Sequence, residues 1–557
     1  MHDDALARGD QPRDRQDPPL RLLAYSDLES AYDNPDRVGA LSARLARRRD
    51  DRTLVVGAGD NTALGTLALL TDAGRAQALP FFEALAPAAD TFGNHDFDPG
   101  PEWAAEWADR VPATYCCANA TGPGVDDVPD ATVVERDGIR VGVVGVAHPE
   151  TDDICGAVDA VDFGDPVPAA REALADLAVD YRVVLAHCGA EDPRVAREVD
   201  ADVVVGGHLH DRRASRHDGT VLVRTAGGGV ELVEVTLGSD PEVAFHDVDP
   251  ATFDPGGATT GDPVTAGDGN GAVADGDGVA ADGNGGAGAA AGDDPLPVAA
   301  SVARTYRERR WALGVDEVVA RVADPLVRTE TERFGGESRV GNFAADAMRA
   351  ATAEGAGDTG SDGDESANGT ADLALFPAGS VRTGDPLAGA VTVGDVVSVC
   401  PFGGPVVECE LDGTELRDVL AEAAHPHAGD RGWVQVHVSG GQVVWTDDSE
   451  LARATVGGDP LDPDRTYRVA TPEYVVRIDA FAPLNRESAV AEHDEQWEAL
   501  VSHARAGGLD VACEGRIRRV SSEAVEGTAS DRPLSRSRHL SDRTKPPLDE
   551  RVLSFGR

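Results

Sequence analysis

Gly93-Asn94-His95-Asp96-Phe97-Asp98 stands directly after a short apolar approach, Ala88 to Phe92, which reads as a β-strand. Asn94 offers a neutral oxygen ligand, His95 an imidazole that titrates near neutral pH, and Asp98 a carboxylate placed to orient that imidazole. In isolation such a stretch reads better as a solvated loop with a chance histidine. Its company in the chain gives it meaning.

Working outward, the same pattern recurs. Leu22 to Tyr25 reads as a buried strand that ends at Ser26-Asp27-Leu28-Glu29, followed by an amphipathic, arginine-rich helix from Val38 to Arg49. Thr53 to Gly57 is a second strand and runs into Gly59-Asp60-Asn61, after which residues 62 to 86 read as helix. Further on, Val141 to Val146 ends near His148, Arg182 to Ala186 ends at His187-Cys188-Gly189, and Val203 to Val205 leads to Gly206-Gly207-His208-Leu209-His210. Apolar strands feeding polar tips are how an α/β scaffold gathers ligands from distant positions into one pocket.

A chain of 557 residues is too long for one core, so two domains are expected. From Asp254 to Asp294 the composition collapses to Gly, Ala, Asp and Asn without a period, which reads as the core of a linker over 251–295. It divides a domain at about 21–250 from one at about 296–525; an insert of similar character covers Glu354 to Thr370, and residues 1–20 and 526–557 read as disordered tails. The second domain opens with a helix from Val298 to Trp311 and continues with one from Val340 to Ala351 that carries Gly341-Asn342. Strand-like Leu373 to Phe376 then leads to Ala378-Gly379-Ser380-Val381-Arg382, followed by Val393 to Val399, Cys400-Pro401-Phe402-Gly403-Gly404 and Val406 to Leu411.

The formal net charge of -49, from 99 acidic against 50 basic residues, argues against general nucleic-acid binding and against an anionic membrane surface. A phosphate-bearing ligand must therefore be held locally, by metal or by a few arginines. Lys545 is the only lysine, and an acidic, lysine-poor chain of this kind looks like the product of a salt-adapted organism. The seven cysteines, including the adjacent pair Cys116-Cys117, read as scattered reduced thiols. No apolar run suits a signal peptide or approaches the ~18 residues of a membrane span, so a soluble, cytoplasmic protein is expected.

Hard-to-intermediate divalent cations take Asp, Glu, Asn and His, and a binuclear site needs roughly six to eight such ligands with one carboxylate bridging. Asp27, Glu29, Asp60, Asn94, His187, His208 and His210 all fall at inferred strand ends. At these residues the sequence resembles the calcineurin-like metallophosphoesterases, and within them the two-domain 5'-nucleotidases, which include bacterial UDP-sugar hydrolases. The likeness is carried by Asp27, Gly59-Asp60-Asn61, Gly93 to Asp98, His187 and Gly207-His208-Leu209-His210, in the family's order. It continues through Gly341-Asn342, Gly379-Ser380-Val381-Arg382 and Cys400-Pro401-Phe402-Gly403.

The resemblance implies an α/β (α+β) protein: an N-terminal metallophosphoesterase β-sandwich flanked by helices and a C-terminal α/β domain that binds the substrate. It implies two divalent metal ions, one held by Asp27, Asp60 and His210 and the other by Asp60, Asn94, His187 and His208. Glu29 departs from the family, which has His there; as a ligand it would shift preference from zinc toward manganese or magnesium. His95, held by Asp98, becomes the non-ligand catalytic helper, while Asp96 has no ligand role and Gly93 and Phe97 supply shape. Arg382 is the candidate phosphate clamp, with Phe402 and Tyr474 as walls of a base-stacking slot. Gly404 replaces the family's usual Asn, and no Gly-Gly-Asp-Gly run follows Tyr474.

The expected activity is hydrolysis of nucleoside 5'-monophosphates to nucleoside and phosphate. The alternatives are a 2',3'-cyclic nucleotide phosphodiesterase or UDP-sugar hydrolase, or, in a different class, a nucleotide-binding protein with a weakened centre. The expected partner is a nucleotide substrate, with no nucleic acid, no membrane and no obligate protein partner.

Overall fold

A computed structural model describes residues 19–522 except 156–157, 159, 176, 239, 254–294, 354–368, 425–434 and 478–480. The expected tails, nearly all of the expected linker and most of the insert lie outside the described residues.

Two six-stranded sheets build the first unit. One has Leu20–Tyr25, Thr53–Gly57, Ala89–Thr91 and Thr114–Cys116 side by side and parallel; the other has Ile139–Ala147, Tyr181–His187, Val203–Gly206 and Thr220–Arg224 in the same relation. Burial on both faces explains their nearly continuous apolar runs. Leu22, Leu54 and Val56 of one sheet meet Val143, Leu185 and Val205 of the other in a shared interior, so the sheets form a sandwich. Helices Pro35–Arg48, Leu79–Leu85 and Pro101–Arg110 cover one outer face, and Pro166–Ala175 with Asp192–Glu198 cover the other. Parallel pairing within each sheet brings the polar strand ends together, where α/β sheets place ligands.

Two expectations need correction. The stretch 62–86 is not one helix but Thr66–Leu69, a 3-10 turn at Gly74–Ala78 and Leu79–Leu85. Gly65, at φ +153°, packs where a Cβ would lie 2.3 Å from Asp33 Oδ2, and that carboxylate accepts hydrogen bonds from Thr66 N and Leu67 N to start the short helix. Gly74, at φ +50°, and Pro80 then interrupt and restart the chain.

The helix expected to open the second domain spans Pro295–Leu313 and seats Ala299, Val302, Ala303 and Tyr306 in the first unit's core. Tyr306 donates its hydroxyl to Gln77 O at 2.9 Å. A Cβ at Gly39 would lie 2.5 Å from Phe253 and 2.9 Å from Ala303, so the residues flanking the low-complexity stretch both rest on the helix Pro35–Arg48. The chain passes to the second unit only between Leu313 and Val318.

The second unit centres on a five-stranded mixed sheet, in the order Val436–Ser439, Leu373–Pro377, Thr466–Pro472, Pro405–Asp412, Ala489–Glu495. Helices Arg339–Ala351, Val393–Val397 and Gln496–Arg505 pack on one face. The helix Gly413–Glu422 and a four-stranded sheet pack on the other. The apolar run Val393 to Val399 therefore begins as helix, opened by a reciprocal cap between Thr392 and Asp395. The described cysteines are all unbridged, with burial pushing the thiols of Cys116 and Cys117 up to about 12. Among the described residues, no helix is long and apolar enough to cross a membrane.

Candidate metal centre

Three of the turns that carry predicted ligands bend sharply. Asp27, Glu29, Asp60 and His208 have φ of 53°, 41°, 52° and 70°, four of the eight described non-glycine residues in the left-handed region. Such backbone costs about 1–3 kcal/mol per residue and persists where the surroundings over-determine it. Here the turns brace one another: Asp27 N donates to Gly59 O at 3.0 Å, Glu29 N to Asp60 O at 3.3 Å, and His208 N to Asp27 Oδ1 at 2.9 Å. Gly59 is required by close approach, since a Cβ there would lie 2.5 Å from His187 Nδ1.

The side chains converge. Asp27, Glu29 and His210 present atoms within 4.8 Å of one another, as do Asp27, Asp60 and His187, and also Glu29, Asp60 and His95. His187 Nε2 lies 3.1 Å from Asp60 Oδ2 and 3.9 Å from Asp27 Oδ1, while His210 Nε2 lies 3.5 Å from Asp27 Oδ1. Asn94 Oδ1 and His208 Nδ1 stand 2.8 Å apart. His187 Nδ1 pairs with Ala58 O at 2.8 Å, which leaves Nε2 turned toward the carboxylates.

Two atoms show that this donor set fits divalent ions. Asp27 Oδ2 and His187 Nε2 are buried without a hydrogen-bond partner, and orphaned ligand atoms at the heart of a carboxylate–imidazole cluster are what a cation would satisfy. The electrostatics agree. Burial works against charge on His187, yet the carboxylates of Asp60 and Asp27 raise it to about 10; His210 rises to about 9 against the same penalty, chiefly through Asp27 and Glu29. Asp27 is held well below the carboxylate range despite burial by its histidine neighbours. A field this favourable to positive charge favours a divalent cation, which displaces the imidazole protons.

Beside this cluster His95 Nδ1 meets Asp98 Oδ2 at 2.9 Å, and His95 N donates to Asp60 Oδ1 at 2.9 Å. Burial opposes ionisation of Asp98, but Arg75 and His95 hold it at about 2; in turn, Asp98 raises His95 above its ordinary range in spite of burial. The second unit closes over the other side. Arg382 bonds Glu29, and its guanidinium carbon lies 5.8 Å from the Phe402 ring centroid; that ring is 6.3 Å from the His95 ring. Tyr474 lies beneath the Arg477 guanidinium, 5.5 Å from its centroid, and burial followed by the charge of Asp98 pushes its hydroxyl up to about 12.

Several residues with structural work at the site escaped the sequence reading. Asp96, left without a role, accepts from Gly93 N at 2.9 Å, Asp60 N at 3.0 Å and Thr62 Oγ1 at 2.6 Å, and so joins two ligand turns. Asp90 accepts from Gly59 N at 3.2 Å and Asn61 Nδ2 at 3.1 Å, with burial pushing its carboxyl up to about 8. Arg75 grips Asp98, and His148 lies 4.9 Å from His208, ring centroid to centroid. Fully buried Arg224 donates to Asp192 Oδ2 and, at 2.8 Å, to Gly189 O, and also bonds Asp211, tying the turn after His187 to the turn holding His210. Charged residues inside or at the end of otherwise apolar strands, as at Asp90 and Arg224, were the available signal.

Comparison with known proteins agrees with this architecture. A family model for calcineurin-like phosphoesterases matches residues 20–212, and one for the 5'-nucleotidase C-terminal domain matches residues 318–482. Curated relatives include an apyrase of Aedes albopictus, 29% identical over 223 residues (34% of this chain, 39% of the relative). Another is a 5'-nucleotidase of Diplobatis ommata, 33% identical over 175 residues (29% of this chain, 30% of the relative). These matches therefore span well under half of each relative. A 5'-nucleotidase precursor from Thermus thermophilus shares the fold at a TM-score of 0.69 and 23% identity, covering 90% of this chain and 99% of that one. The sulfate thiohydrolase SoxB of Thermus thermophilus has the same fold at 0.64 and 17% identity, over 90% and 97% of the two chains. With both family models matched in sequence and the whole fold shared, the chain belongs to the calcineurin-like phosphoesterases, in the two-domain form that carries a 5'-nucleotidase C-terminal domain.

Proposed function

We propose that the protein is a metal-dependent phosphoesterase that hydrolyses nucleoside 5'-monophosphates to nucleoside and phosphate. The supporting observation is the convergence of the carboxylate–imidazole cluster, the His95–Asp98 pair and the Arg382–Phe402 pair around one place. Asp27, Glu29, Asp60 and His210 hold one divalent ion, and Asp60, Asn94, His187 and His208 the other, with manganese favoured by the added carboxylate. Ions so held supply positive charge against phosphoryl oxygens and acidify water. His95, whose Nδ1 is occupied by Asp98, presents Nε2 to the transferring phosphoryl group or the departing ribose oxygen. Arg382 binds phosphate by its planar fork, and Phe402 with Tyr474 offers the base a stacking surface. The catalytic unit runs from residue 20 to 253 together with Pro295–Leu313, and the substrate unit from Val318 to Val520.

Gly404, at φ +112°, occupies a conformation that disfavours the family's Asn, so this position offers the base no side chain with which to hydrogen-bond. That favours relaxed base preference and keeps a second reading open, hydrolysis of 2',3'-cyclic nucleotides or UDP-sugars. The deciding experiment is phosphate and nucleoside release from a panel of 5'-monophosphates, cyclic nucleotides and UDP-sugars with manganese at high salt. Turnover of several 5'-monophosphates is expected. Metal binding without release from any ester would overturn catalysis in favour of a nucleotide-binding role.

A further inference from the structure

Glu29 faces two ways. Its Oε1 lies 3.7 Å from His210 Nε2, inside the ion-binding cluster, while Oε2 takes the Nη2 of Arg382 from the other domain. The side chain is nearly buried, at 8% exposure, and its backbone is pinned on both sides, with Glu29 N on Asp60 O and Leu64 N on Glu29 O. The remaining edge of the guanidinium, Nε and Nη1, makes no hydrogen bond among the described residues and stays open to a phosphate. Other contacts also cross between the domains: Leu69 packs against the second core near Phe402, whose ring lies 6.3 Å from that of His95, Thr66 Oγ1 reaches Gly394 O at 3.3 Å, and Arg37 faces Asp385 at 3.6 Å across a largely exposed edge. A buried charge pair whose partners sit on separate bodies resists removal of either member far more than an exposed pair does.

We propose that Glu29 is a positioning residue that couples ion binding to domain closure: one oxygen belongs to the ion cluster, and the other holds Arg382, and with it the second domain, over that cluster. The proposal rests on the functional reading above for the role of Arg382 toward phosphate. Coupling of this kind is reciprocal, so ion binding and closure each favour the other.

Glu29→His and Arg382→Gln separate the two tasks, because an imidazole can still ligate a cation but cannot hold a guanidinium. The measurements are bound manganese per chain and the radius of gyration by small-angle scattering, with KM on any turned-over ester as a third readout. Both variants are expected to keep wild-type manganese content, to expand relative to wild type, and to raise KM at least tenfold with a smaller change in kcat. The double variant should be no more expanded than either single one. Loss of manganese from Glu29→His without expansion, or unchanged dimensions in Arg382→Gln, would overturn the coupling. Should Glu29→His fail to fold, Arg382→Gln carries the test. Scattering needs no substrate, so absent hydrolysis would count against the functional reading and leave the clasp to be judged on dimensions alone.

Discussion

His95 and Asp98 lie outside the proposed ligand set, which assigns this pair to chemistry rather than to ion binding. Replacing His95 by Ala is expected to lower kcat by about 10²–10⁴-fold, the usual contribution of a placed acid–base group, while bound metal per chain stays unchanged. Full turnover in the variant would remove His95 from the mechanism. The residues that converge in the carboxylate–imidazole cluster were legible because each combines a side chain able to bind metal with a place at the end of an apolar run, as at Asp60 and His187. Asp96 and Arg224 were not legible, since their work depends on which backbone groups lie opposite. Gly93 N and Asp60 N reach one carboxylate only after two strands pair, and no local pattern announces that.

At the scale of elements, hydrophobic period identified the parallel strands well and failed where the chain bends for tertiary reasons. Residues 62–86 carry enough apolar residues for one helix, but Gly65 must approach Asp33 and Pro80 must begin a new turn. The helix Pro295–Leu313 was correctly placed along the chain and assigned to the wrong body, because amphipathicity states that a face is buried without naming its partner. Its seating is testable: Tyr306→Ala should destabilise the protein by about 3–5 kcal/mol, as expected for loss of a buried aromatic side chain, read as a lower urea midpoint of the first unit. An unchanged midpoint would mean the helix is dispensable to that core.

The strand Val436–Ser439 offers a pH probe away from the ion cluster. His437 is completely buried beside Gly341, and burial pushes its imidazole down to about 4. Unfolded histidine titrates near ~6.5, so between these values the unfolded chain binds a proton that the folded chain refuses. This contribution to stability is fully present above pH ~6.5 and is lost as pH falls toward 4. Unfolding of wild type and His437→Gln at pH 7.5, 6 and 5 should show the steeper decline in wild type. Parallel declines would show that His437 does not titrate as described.

Taken whole, the molecule carries -49 formal charges, and much of its acid excess faces solvent. Raising salt from 0.1 M to 1 M shortens electrostatic reach from ~10 Å to ~3 Å, so the thermal midpoint should rise with sodium chloride over that range. A flat or falling midpoint would mean that self-repulsion is not a significant destabilising force. The two-body organisation was visible in the sequence because the low-complexity stretch interrupts every period. Its relation to the domain boundary was not, since composition identifies a stretch that builds no core and does not say where its two ends return.

Those ends return to one place. Phe253 and Ala303 both rest on Gly39 of a single helix, so the described residues on either side of 254–294 belong to the same body. The covalent path between the bodies is instead Gly314 to Glu317, a short tether that is itself held to the second body, since Val315 O accepts from Gly394 N and Glu317 O from Val393 N. For protein engineering, a change of length within 254–294 leaves the covalent path between the bodies, residues 314–317, as long as before.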